Sequence, residues 1–287
     1  MFRFLRLLRT SLWRAFVHDA FATAKAAAYS SIFTFFPVLL IIGSALASWR
    51  KGAPYLREIS YALGSILPAG GNTALSYLKG AAQHPVGLVT TTSVVTLWTA
   101  SGVMISWMDG FRRCYELPKT WGLVKERMIA FLLVIFALIP MTFATILVAV
   151  GSKFESRLLP YLDPDFSPYI LLLWGGIRWL IATLTSIAVI ALIYHHAVPR
   201  TQPWHSVMPG AMLATVLWFL TTVGFRAYLQ HFGNFATIYG SLGVAMALLV
   251  WMYIISLVVL VGAEFNALLF PRAMLGKELI AVNGPKA

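Results

Sequence analysis

The chain has 287 residues, of which 59% are hydrophobic and 11% charged, and a mean hydropathy of +0.78, which excludes an ordinary soluble domain. Its net charge of +12 would suit a nucleic-acid binder, but the placement of the cations points to a membrane surface instead. A single cysteine, Cys114, excludes an internal disulfide and fits no metal-ligand pattern.

The first predicted element is basic. From Arg3 to Arg14, arginines alternate with Leu5, Leu8, Leu12 and Trp13, the pattern of an amphipathic helix lying on a membrane surface. The apolar run that follows is too long for a signal-peptide core and has no cleavage site, so residues 1–23 are read as a retained N-terminal segment.

Six apolar segments follow, each long enough to cross a bilayer: Ala24–Ser48, Pro85–Met108, Met128–Val150, Pro168–Tyr194, Val207–Leu229 and Leu242–Phe270. In hydrocarbon each must satisfy its own backbone, so all six are predicted as helices; the alternation of a barrel strand is absent. The expected fold class is therefore all-α, a polytopic membrane protein with a transmembrane domain over 24–270 and a C-terminal tail over 271–287. Between the first two spans, Leu56, Ile59, Leu63 and Ile66 recur at helical spacing. They predict an amphipathic helical external loop, broken at Pro68-Ala69-Gly70-Gly71. Pro37 and Pro140 fall inside spans one and three and are expected to kink them.

The cations set the orientation. Fourteen of the 22 Lys and Arg lie at the termini, around the loop between spans two and three, or at Arg200. The opposite loops hold six: Arg50, Lys51, Arg57, Lys79, Lys153 and Arg157. The excess predicts cytoplasmic N- and C-termini.

Ionisable groups inside spans are the candidates for function. Glu264 lies toward the inner end of span six and needs a partner, for which Lys25 and Arg112 are the natural choices, with Asp109 close by. These four are expected to form an ion pair or gate. Arg178 lies near mid-depth in span four and is expected to face a polar cavity, where it would attract an anionic ligand. Arg226 sits closer to an end and suits snorkelling as well as binding. Ser30, Ser31 and Thr34, beside Pro37, are candidates for lining a polar cavity.

Other chemistry is poorly supported. His195, His196 and His205 cluster without a neighbouring carboxylate or thiol, so no metal site is read there. Asp163 and Asp165 fit a proline-flanked turn. The ten acids are scattered, whereas a two-metal nuclease needs several together. There is no phosphate loop, nucleophile elbow or zincin motif, and no cofactor is implied.

Several stretches carry a family resemblance. They are AKAAAYSSIFTFFPVLLIIGSALAS in span one, LWTASGVMISWMDGFRRCYELP through span two, and PGAMLATVLWFL to FRAYLQHF in span five. The last segment adds Tyr239-Gly240-Ser241, Trp251 and Gly262-Ala263-Glu264-x-Asn266. In order and spacing the chain resembles the YihY / BrkB family, historically labelled ribonuclease BN-like, over nearly its whole length. It departs from the pattern at Thr120-Trp121, where an Arg is expected, and at Asp109-Gly110, where an Asn is expected. The resemblance implies a six-helix protein of the bacterial inner membrane and links it to envelope lipid traffic. The expected function is transport or translocation of an anionic, lipid-like amphipath, with membrane lipids as partners, no nucleic acid, and oligomerisation possible. The alternative is a non-transporting scaffold for envelope proteins; a membrane-bound ribonuclease is disfavoured by the scattered acids.

Overall fold

A computed structural model of the chain describes residues 2–48, 85–158, 167–200, 202–231 and 241–271. All regular structure among the described residues is helical. In chain order the elements are α1 (Phe2–Val17), α2 (Ala20–Ser48), α3 (Pro85–Cys114), α4 (Leu123–Leu158), α5 (Ser167–His196), α6 (Trp204–His231) and α7 (Ser241–Leu269). The expected external loop helix, the Asp163–Asp165 turn and the C-terminal tail from Arg272 lie outside the described residues.

Among the described residues, four helices are long and apolar enough to cross a membrane: Leu123–Ala144 in α4, Leu171–His196 in α5, Trp204–Tyr228 in α6 and Ala245–Leu269 in α7. The other two expected spans form helices of sufficient length, 29 residues in α2 and 30 in α3. The α3 sequence, PVGLVTTTSVVTLWTASG, is diluted by Thr and Ser. Those hydroxyls close on their own helix: Thr96 Oγ1 donates to the Thr92 carbonyl at 2.7 Å and Ser101 Oγ to the Trp98 carbonyl at 2.7 Å. The outward faces of α4, α5 and α6 carry exposed Phe143, Ile139, Leu172, Leu220 and Val223, side chains suited to a hydrocarbon solvent.

Among the described residues, two other than glycine adopt the left-handed backbone region, and both lie at helix ends. Asp19 (φ 60°) separates α1 from α2. Glu116 (φ 52°) closes α3, where Leu117 N–H bonds back to the Arg112 carbonyl at 2.8 Å and Glu116 N–H to the Arg113 carbonyl at 3.1 Å. This is the reversed pairing by which a left-handed residue satisfies the last carbonyls of a helix.

The chain divides into two compact units. One comprises residues 1–18, 111–217 and 259–287. Its core holds Phe111, Cys114, Tyr194, Val198, Val207, Ala211, Ala214, Leu260 and Ala263, and α4 packs along α5. The other comprises 19–110 and 218–258. There the small residues Ala20, Ala24, Ala27 and Ala28 of α2 are buried, together with Met104 and Met108 of α3. At Gly102 the two helices approach closely: a Cβ there would stand 3.1 Å from Ser30 Oγ.

Candidate functional site

The polar groups of the first unit gather around the last third of α7. The sequence there, VGAEFNALL, sets Gly262 and Asn266 four residues apart on one face of the helix, with Glu264 between them directed away from it.

Glu264 is fully buried, at 0% exposure. A carboxylate in that position must be compensated. His18 Nδ1 lies 2.5 Å from Oε1, and Arg14 Nε lies 3.3 Å from Oε2, a charge contact without hydrogen-bond alignment. His18 stands just past α1, its N–H bonded back to the Arg14 carbonyl at 2.8 Å, so it continues the helical turn and shares a face with Arg14. Ser11 and Ala15 lie on that face too, fully buried, and their small size lets α1 approach closely. Arg14 also reaches the exposed Glu116 with Nη2 at 3.1 Å from Oε1. The left-handed turn at Glu116 presents that carboxylate to α1.

The structure differs here from the sequence expectation. The basic groups at the Glu264 oxygens are Arg14 and His18, not Lys25 or Arg112. Arg112, nearly buried, instead holds Glu126 of α4, with Nη1 at 2.9 Å from Oε1, and Lys119 Nζ stands 3.3 Å from Oε2 of the same carboxylate. This second ion cluster ties the end of α3 and the loop after it to the start of α4. Lys25 is exposed on α2, and Asp109 is half-buried near the end of α3. His18 went unread because its partner is 246 positions away and nothing local marks it. The signal present was the spacing of Arg14 and His18 in a helix with no acid of its own.

Beside Glu264 lies Cys114. Burial first, and then the Glu264 charge, push its thiol well above its ordinary range, so it stays neutral and unreactive. Burial likewise raises the phenol of Tyr115, whose hydroxyl lies beside the Asn266 amide without a well-formed hydrogen bond to it.

Gly262 and Asn266 join α7 to α6. A Cβ at Gly262 would lie 2.7 Å from the Gly210 carbonyl oxygen and 2.9 Å from Ala214 Cβ, so the two backbones touch. Asn266 spans the same crossing. Its Oδ1 accepts from Gly210 N–H at 2.6 Å, and its Nδ2 donates to the Val207 carbonyl at 3.0 Å. Pro209 sits between those two residues and has no N–H, so the ladder of α6 is already interrupted there. Tyr194 of α5 completes the junction. Its hydroxyl donates to the Val259 carbonyl at 2.6 Å, and its ring meets Phe111 edge-on at 5.2 Å.

The remaining predicted residues stand apart by element. Arg178 is half-buried on α5, within the apolar stretch Leu171–His196. Arg226 is exposed on α6. Ser31 Oγ and Thr34 Oγ1 donate to the carbonyls of Ala27 and Ser30, each at 2.8 Å, so both hydroxyls are satisfied within α2. Pro37 lies inside α2 and Pro140 inside α4, and both helices continue through them. The histidine group proves aromatic: His195 stacks on Trp204 at 4.4 Å and His205 meets Phe270 edge-on at 5.7 Å. Among the described residues, no three His, Cys, Asp or Glu side chains come together as a metal-binding group.

The family model described as Virulence factor BrkB matches residues 12–278. The chain is 27% identical over 283 residues to the putative ribonuclease-like protein YfkH of Bacillus subtilis (strain 168), covering 96% of this chain and 98% of that one. It is 28% identical over 246 residues to a UPF0761 membrane protein of Vibrio vulnificus (strain YJ016), covering 85% and 76%. A UPF0761 membrane protein of Tolumonas auensis is 39% identical over 97 residues, about a third of each chain. No solved structure matches.

Proposed function

Since the chain belongs to the Virulence factor BrkB family, a family of membrane proteins, we propose that it is a six-span protein of the bacterial inner membrane that translocates an anionic, lipid-like amphipath. In this reading α2 and α3 cross the bilayer with α4, α5, α6 and α7, and both termini are cytoplasmic.

The observation that carries the reading is Arg178. An arginine half-buried within an apolar helix is a candidate for a ligand or ion path by default, whatever side chains also meet it. Its planar fork suits a phosphate or carboxylate headgroup. Polar groups elsewhere favour the same substrate class. Trp107 Nε1, Trp218 Nε1 and Thr222 Oγ1 are buried and make no hydrogen bond, and a headgroup would supply the acceptors they lack. Within the second unit, Arg226 of α6 and Ser30, Ser31 and Thr34 of α2 are further polar candidates for contact with such a substrate. Glu264, with Arg14 and His18, would keep the opposite end closed.

The alternative is a scaffold that organises envelope proteins without transport. The name of the Bacillus relative does not carry a nuclease activity to this chain, whose carboxylates Glu264 and Glu126 are each committed to basic partners.

The test joins stability to binding. Arg178→Leu is expected to remain folded in detergent, with its melting temperature unchanged or raised, while losing co-purified anionic lipid by native mass spectrometry and failing to complement an envelope defect. Arg178→Lys should retain part of both, since the charge remains and the fork is lost. A folded Arg178→Leu protein with undiminished lipid and full complementation would reject the substrate role and favour the scaffold.

A further inference from the structure

The outward face of α1 is unlike the face that holds Glu264. We infer that it is a docking surface for anionic phospholipid, seating α1 in the headgroup layer of the bilayer that the rest of the chain crosses. This inference is independent of whether the protein transports anything.

Around Arg9 the helix arranges its neighbours by turn: Leu5 and Arg6 one turn before, Leu12 and Trp13 one turn after, Phe16 two turns after. All lie on the outer side of α1. Trp13 is 66% exposed and Phe16 is 62% exposed, with their rings stacked at 5.9 Å. Arg9, Thr10, Leu12, Trp13 and Phe16 line one shallow open depression. An arginine set among exposed Leu, Trp and Phe is poorly placed for water alone and well placed for the boundary of a bilayer. There the rings and leucines enter the acyl edge while the guanidinium stays with phosphate.

Charge selects the occupant. The α1 sequence FRFLRLLRTSLWRAFV has no acid. Of the basic groups on the helix, Arg14 and His18 are occupied on the inner side by Glu264 and Glu116. Arg6 and Arg9, three residues apart and exposed, are the pair on the outer face. The outer face therefore combines two cations with apolar rings, which a phosphate diester with acyl chains matches and a neutral surface does not. Position along the chain agrees. The left-handed Asp19 follows α1, and α2 with its apolar run begins at the next residue, so the chain passes directly from α1 into a bilayer-length helix.

The test uses the full protein in nanodiscs, one set of phosphatidylglycerol with phosphatidylcholine and one of phosphatidylcholine alone. Spin labels on Leu12→Cys and Phe16→Cys are expected to be accessible to oxygen and shielded from an aqueous nickel chelate in the phosphatidylglycerol discs. Arg6→Gln with Arg9→Gln should lower phosphatidylglycerol retained through detergent extraction by about tenfold, leave the melting temperature unchanged, and raise nickel accessibility at both labels. Arg6→Lys with Arg9→Lys should keep most of the retention. Labels open to the nickel chelate in phosphatidylglycerol discs, or retention unaltered in the glutamine variant, would overturn the inference. So would spin–spin broadening between labels on two copies, which would assign the face to a second protomer.

Discussion

At the scale of single residues, the consequential group is Glu264. Its charge has been taken out of water and handed to Arg14 and His18, so removing one partner strands the others. Glu264→Ala is expected to lower stability by about 3–5 kcal/mol. Glu264→Ala combined with His18→Ala should be less damaging than the sum of the two, with a coupling of about 1–3 kcal/mol in a double-mutant cycle read from denaturation in detergent. Additivity would mean that the contact is incidental. Cys114 offers a milder probe. Because burial and the neighbouring carboxylate hold its thiol protonated, a maleimide at pH 8 should leave the folded protein unmodified and label it fully after denaturation. Rapid labelling of the native protein would show that this end of the molecule opens.

At the scale of elements, the crossing of α6 and α7 is the tightest packing among the described residues of the first unit. Two glycines face each other, and no side chain can give way where the obstacle is backbone. Gly262→Leu should therefore prevent folding or separate the two helices, a loss at or beyond the ~1–3 kcal/mol usual for overpacking, read as lost thermal transition and expression. Gly175 and Gly176 of α5 have open space around them, and Gly175→Ala should be tolerated in the same assay. Asn266 tests the polar half of the crossing. Asn266→Leu leaves the Gly210 N–H and the Val207 carbonyl without the amide that bridges them, at about 1–3 kcal/mol. An unchanged melting temperature would show that α6 repairs its own ladder around Pro209.

At the scale of the whole molecule, the charge asymmetry makes an orientation prediction. A cysteine placed at Asn72 should react with an impermeant thiol reagent in intact cells, and one at Asn283 should react only after permeabilisation. The reverse pattern would invert every assignment of inner and outer ends. The candidate site is less exposed to that outcome than the proposed function, because the contacts of Glu264, Asn266 and Tyr194 hold in either orientation.

Hydropathy and helical periodicity act within a few neighbouring residues, so the sequence alone determined that this is a helical membrane protein. It also determined where the apolar runs lie, that α1 is two-faced, and that an acid in a span needs a counter-charge. The described helices cover those runs, and among the described residues four of them are long and apolar enough to cross a membrane. The identity of the partners was decided by the tertiary structure. Arg112 was as near to Glu264 in expected depth as any cation, yet it turned to Glu126, 14 residues on. Glu264 met Arg14 and His18 from the far end of the chain. Ion pairing in a low-dielectric interior is settled by a few ångströms of approach. Here that approach was set by Ser11 and Ala15 letting α1 in, and by Gly210 and Gly262 bringing α6 against α7, distances that no spacing in the sequence encodes.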